Sequence, residues 1–164
     1  MASIPLAEVQ TLAAPAKTVC KAIPMPPFAK RLGPLPLLPA NQQVNELFSR
    51  AVKVVELKKE SELDALTSVS GMMAPFYQLL STTQKWVVAQ GVESEAASTF
   101  VGELFHSLAD DSKDLPEGFE EITVASQTPG GINELALKDL SDRGFYKMYE
   151  EELGIVQTRV SKKD

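Results

Sequence analysis

Proline placement decides what the first quarter of this chain can become. Of 11 prolines, Pro5, Pro15, Pro24, Pro26, Pro27, Pro34, Pro36 and Pro39 all precede Ala40. Proline lacks an N–H and blocks the preceding turn, so long helices are excluded there and short extended pieces fit. Thr18 to Ile23 reads as a strand closed by Pro24, and Leu35 to Leu38 as a second, which its prolines make peripheral. Asn41 is placed to cap a short helix presenting Val44, Leu47 and Phe48 on one side. Ala51 to Leu57 is β-branched and alternating, a third strand. Strand, strand, helix, strand is the order found at the end of an α/β sheet, and it is too small to be a whole one.

From Glu60 the period becomes helical. Ser61 and Asp64 open a segment carrying Leu63, Leu66 and Val69, which Gly71 stops. Pro75 is tolerated in the first turn of a helix that runs to about Gln90 and ends before Gly91. Glu93 to about Ala109 places Ala97, Phe100, Val101, Leu104, Phe105 and Leu108 on one stripe. A turn over Asp110 to Pro116 precedes a shorter helix through Phe119, Ile122 and Val124, which Thr128-Pro129-Gly130-Gly131 breaks. A helix from Ile132 to near Gly144 follows, and a last one carries Phe145, Met148, Tyr149 and Leu153. The tail from Ser161 is expected to fray. The helix from Met72 to Gln90 spreads its apolar residues round much of the cylinder. It therefore needs neighbours on several sides, supplied by an intertwined dimer or by a compact bundle with this helix at its centre. These readings predict a mainly helical α+β chain.

Composition narrows the chemistry. Forty-four per cent hydrophobic and 23 % charged residues describe a globular chain. Sixteen Lys+Arg against 22 Asp+Glu give a net charge of −6, which offers no basic face for nucleic acid. The lone Cys20 excludes an intramolecular disulfide framework and suits a reducing compartment, and the lone His106 cannot build a two-histidine metal site. No metal is expected. Nor is a membrane span or signal peptide, so a cytoplasmic location is expected.

The most unusual local feature is the loop from Ser126 to Glu134. Adjacent glycines before a helix let several N–H groups point into one small space, where the positive end of the helix dipole favours a carboxylate or phosphate. Thr128 and Asn133 add side-chain donors. Pro-Gly-Gly is equally a good tight connection between helices, the simpler reading of the loop alone. Ile23 to Pro27 leaves a strand end where α/β folds place ligands, and it also suits a stiff surface connection. The run Asp110 to Asp114 lacks calcium-loop spacing and reads as a solvated turn. No Gly-x-Gly-x-x-Gly, Walker loop or nucleophile elbow occurs.

Glu62 to Gly71, then Ala74-Pro75-Phe76-Tyr77, then Thr128-Pro129-Gly130-Gly131, resemble the C-terminal part of pyrroline-5-carboxylate reductase. Ala22-Ile23-Pro24 and Val52 to Leu57 look like the last strands of that family's nucleotide-binding domain. The resemblance implies a truncated Rossmann segment over residues 1–58. It implies a helical dimerisation and substrate domain over 59–160, an all-α bundle like the C-terminal domain of 6-phosphogluconate dehydrogenase. It further implies an interlocked homodimer that reduces a cyclic imino acid to proline with hydride from NADP or NAD in reduced form. The substrate carboxylate would be held mainly by backbone N–H groups of Thr128, Gly130, Gly131, Ile132 and Asn133, with Pro24 and Ser70 toward the cofactor. Placing the hydride donor against an already electrophilic imine would supply most of the catalysis.

The chain departs from the family at several points. Ile132 and Asn133 stand where small or hydroxylated residues are usual, Met25-Pro26-Pro27 replaces the polar residues after Pro24, and Met72 and Met73 precede Pro75. The glycine-rich nucleotide loop is missing. Three readings follow: the C-terminal part of a reductase, inactive without its nucleotide-binding half; a non-catalytic dimerisation or small-acid-binding protein derived from it; or an all-helical scaffold in which Pro-Gly-Gly is only a turn.

Overall fold

A computed structural model describes residues 4–113 and 118–162. These residues form two compact units, one drawn from residues up to Met72 together with those from Glu151 onward, the other from Met73 to Glu150. The chain is α+β and mainly helical, with one small sheet. Asp114, Pro116 and the last two residues of the tail lie outside the described residues.

The first unit holds three strands, β1 (Lys21–Ala22), β2 (Pro34–Leu38) and β3 (Lys53–Glu56), in the order β1-β2-β3. β2 runs antiparallel to β1, with Lys21 opposite Leu38, and parallel to β3, with Leu35 opposite Val54. The proline-bearing strand is thus central and not peripheral as its composition suggests. The reason is alternation. Pro36 turns its carbonyl toward β1, accepting from the Ile23 N–H at 3.2 Å, while the Leu37 carbonyl faces β3 and accepts from Leu57 at 2.9 Å. Residues 34 and 36 share a side, so both missing donors fall toward β1. The β3 ladder stays intact, and β1 shrinks to two residues instead of the six expected.

Between β2 and β3 lies α2 (Gln42–Phe48), capped as predicted: the Asn41 carboxamide oxygen accepts from the Val44 N–H at 3.0 Å. Leu47, expected on its inner side, is exposed. Two elements were not foreseen, α1 (Leu6–Leu12) and a 3-10 turn over Pro26–Lys30. Each starts at a proline, at the cap or first position, where a missing N–H costs nothing. Lys21 is buried. Its Nζ donates to the Ile4 carbonyl at 2.7 Å and lies 3.6 Å from Glu60 Oε1, which also accepts from the Leu6 N–H at 2.9 Å. A buried ammonium needs such partners, and they fasten the N-terminal segment to the sheet. Beneath it Leu38, Leu57 and Leu63 form the core, with Leu6, Ile23 and Val55 against them.

α3 (Glu60–Ser70) begins where the Glu62 carboxylate accepts from the N–H groups of Lys58 at 2.6 Å and Lys59 at 3.0 Å. Those two bonds, Lys58 first, hold the Glu62 carboxyl below its ordinary value. Because the folded value is the lower one, the contribution is present above the unfolded value of ~4.3 and is lost as pH falls through the folded one. In thermal melts between pH 6 and 3, Glu62→Gln is expected to be less stable than the native chain at pH 6, with the gap closing toward pH 3. A gap independent of pH would refute the assignment. Gly71 does not end α3 through a left-handed cap, since its φ is −62°. A Cβ there would lie 2.9 Å from Val156 Cγ1 of α8 (Phe145–Ser161), so close approach to that side chain requires glycine. α8 runs through Ser161, the start of the tail expected to fray.

The second unit contains α4 (Met73–Ala89), α5 (Ser94–Asp111), α6 (Phe119–Ala125), α7 (Ile132–Asp142) and the start of α8. Gly91 and Gly144, at φ +96° and +76°, follow α4 and α7 as predicted. The expected single stripe of α5 divides in two. Ala97 and Val101 are buried and Phe105 meets Phe76 of α4 edge-on at 6.3 Å, whereas Phe100, Leu104 and Leu108 stay exposed. Tyr77 and Trp86 of α4 are exposed as well. The acidic run begins inside α5, where Asp110 pairs with Lys113.

Candidate functional site

The loop between α6 and α7 is a turn with a defined chemistry. The Gly131 N–H donates to the Thr128 carbonyl at 2.7 Å, with Pro129 and Gly130 between them and Gly130 at φ +73°. Proline second and a positive-φ glycine third are the residues a type II turn demands. Gly131 caps α7 in extended conformation, and a Cβ on it would lie 2.8 Å from the Thr128 oxygen, so both glycines are required by the backbone.

This geometry brings Thr128, Gly130, Gly131, Ile132 and Asn133 together but divides their N–H groups. Gly131 is committed to Thr128, and the Gly130 N–H donates to Glu134 Oε2 at 2.7 Å. The expectation that all these amides converge on one space is corrected for those two. The amides of Ile132 and Asn133 lie in the first turn, ahead of the first bond of α7, Leu135 N–H to Gly131 O at 3.1 Å. The Asn133 side chain turns back, its amide donating to the Ser126 carbonyl at 2.9 Å. The Thr128 hydroxyl has no partner among the described residues, and Ile132 is 83 % exposed. Glu134 was not assigned a role from sequence. Its signal was a glutamate three positions after the capping residue, the spacing from which a side chain reaches back to the chain before the helix.

Pro24 and Ser70 belong to the other unit. Pro24 is exposed and follows β1, which is antiparallel, so it does not leave the carboxyl end of a parallel strand. The Ser70 hydroxyl donates to the Thr67 carbonyl at 2.5 Å. The βαβ connection among the described residues, Pro39-Ala40-Asn41, has no glycine to let a backbone approach a pyrophosphate. The residues present therefore do not by themselves fit a dinucleotide. Burial pushes the Cys20 thiol up, away from the thiolate form a nucleophile needs. Among the described residues no three His, Cys, Asp or Glu converge on a metal position, and no helix is long and apolar enough to cross a membrane.

The described residues thus combine a short mixed sheet with a helical unit that carries a paired-glycine helix cap. Residues 60–162 match the pyrroline-5-carboxylate reductase dimerisation family, and the chain belongs to it. Comparison with curated proteins finds no match. The fold is that of solved reductases. A pyrroline-5-carboxylate reductase from Coxiella burnetii superposes with a TM-score of 0.81 at 16 % identity, over 95 % of this chain and 61 % of that one. The Plasmodium falciparum pyrroline carboxylate reductase, solved with NADP bound, gives 0.78 at 16 % identity, over 98 % and 64 %. The 1-pyrroline-5-carboxylate reductase of Streptococcus pyogenes gives 0.71 at 16 %, over 86 % and 57 %. The chain thus spans about three-fifths of the length of these reductases.

Proposed function

We propose that this chain is the dimerisation and substrate-holding part of an NAD(P)H-dependent reductase of cyclic imino acids. Its helical domain, taken as 59–160, forms a homodimer, and residues 1–58 complete a nucleotide-binding domain. In this reading the cytoplasmic protein holds the substrate carboxylate at the first turn of α7. The observation that carries it is the type II turn, which leaves the Ile132 and Asn133 amides and the Thr128 hydroxyl at the positive end of an 11-residue helix inside the family-matched segment. Pro24 and Ser70 are the residues assigned toward the nicotinamide.

The test is a titration of the isotope-labelled chain with L-proline, followed by amide NMR. Saturable shifts of Ile132 and Asn133, lost in Gly131→Ala, are expected, together with no NADPH oxidation by the 164-residue polypeptide alone. Shifts absent from those amides would overturn the substrate assignment. A second reading, a dimerisation protein without the chemistry, is favoured by one contact: the Gly130 amide is already taken by Glu134. It predicts a dimer with no response to proline.

A further inference from the structure

The net charge of −6 is not spread evenly along the chain. Residues 1–59 carry eight Lys and Arg against three Glu, a charge of +5, and residues 60–164 carry eight against 19 Asp and Glu, a charge of −11. The sheet gathers half of the first eight cations at one end. Pro34 and Lys53 stand opposite each other at the amino ends of the parallel strands β2 and β3. Lys30 and Arg31 lie just ahead of Pro34, and Arg50 just ahead of Lys53. The two approaches are tied together by Phe28 of the 3-10 turn and Phe48 at the end of α2, whose rings meet edge-on at 6.1 Å. Residues 24–34 and 47–55 contain no Asp or Glu.

All four cations are exposed, and none of their side chains has an ion-pair or hydrogen-bond partner among the described residues. Arg31 ends the 3-10 turn at φ +57°, its N–H donating to the Phe28 carbonyl at 2.8 Å. That left-handed conformation suits glycine or asparagine, so the backbone does not call for arginine; what arginine adds is a second charge beside Lys30. Leu32 follows at 54 % exposed, and Leu47 in the last turn of α2 is 65 % exposed at the same end. Glu46, the acid of α2, accepts from Gln42 Nε2 at 2.8 Å, one turn back toward the start of that helix.

Crowded like charges repel until an anionic partner meets them. A nucleic acid has no use for exposed leucines, and the aromatic rings at this end pack on each other and not on a base. Cations interleaved with apolar side chains match the headgroup region of an anionic bilayer, where lipid charges meet the cations and the acyl boundary takes the leucines. No described helix is long and apolar enough to cross a membrane, so the contact is a surface one. We propose that this end of the sheet docks on an anionic lipid surface through Lys30, Arg31, Arg50 and Lys53, with Leu32 entering the boundary.

The test is co-sedimentation of the full chain with vesicles of phosphatidylcholine alone and of phosphatidylcholine mixed equally with phosphatidylserine. Binding is expected to the mixed vesicles only, falling as salt rises. Each cation removed should weaken it about fivefold, so Lys30→Gln combined with Arg31→Gln should cost roughly twentyfold or more. Leu32→Ser, which leaves the charge unchanged, should cost about fivefold or more. Lys58→Gln combined with Lys59→Gln removes the same charge beyond the carboxyl end of β3 and should alter binding by no more than about twofold. Equal binding to the two vesicles, none to the mixed ones, full binding by the Lys30 and Arg31 variant, or an equal loss in the Lys58 and Lys59 variant overturns the proposal. So does tighter binding to a DNA duplex that Leu32→Ser leaves intact, which would assign the surface to nucleic acid.

Discussion

Phe100→Asp is expected to halve the mass of the particle in solution without unfolding the chain. The native polypeptide should scatter light at twice 17.8 kDa and the variant at 17.8 kDa. The argument rests on the second stripe of α5. Phe100 is 64 % exposed, so a carboxylate there disturbs little inside one copy. Along the same helix Leu104 and Leu108 are also uncovered, and Tyr77 and Trp86 stand out from α4. Covering a phenylalanine is worth ~1.5–3 kcal/mol, and a two-fold interface counts each change twice. Loss of that burial, with two carboxylates stranded in its place, weakens association by roughly two to four orders of magnitude. A native chain that already runs as a monomer would overturn the dimer.

Leu63→Ala should produce the largest loss of stability. Leu63 is 2 % exposed and closes the core made with Leu38 and Leu57, joining α3 to the central strand. Truncating a sealed leucine removes its transfer free energy and leaves a cavity, together ~2–5 kcal/mol. For a chain of this size each kcal/mol lowers the midpoint by roughly 2–4 °C, so a drop of about 5–15 °C is expected in calorimetry. The exposed Leu66, one turn away, provides the contrast: Leu66→Ala should move the midpoint by no more than a degree or two. Equal effects at the two positions would mean the core is misplaced.

Sequence carried much of this architecture because its punctuation is local. Asn41, Gly91 and Gly144 each act on the backbone within a few residues of themselves, so α2, α4 and α7 end or begin where those residues dictate. The type II turn was legible for the same reason. Strand order was not, because it depends on which side of β2 the proline nitrogens face, and that is set by pairing with distant residues. The two stripes of α5 could not be separated either, since Phe100 and Val101 are equally apolar and only the position of α4 divides them. At the α7 loop, glycine spacing announced a cap but not that the Glu134 side chain would reach back to Gly130.

The paired prolines of β2 have a mechanical consequence. On one flank the strand is zipped to β3 through an unbroken ladder, while on the other it holds β1 by a grip two residues long. Tension applied along the chain would peel β1 first, carrying Pro24 with it and sparing the leucines beneath. The sheet therefore has a firm side that preserves the fold and a yielding side on which the segment after β1 can be repositioned at little cost to the core.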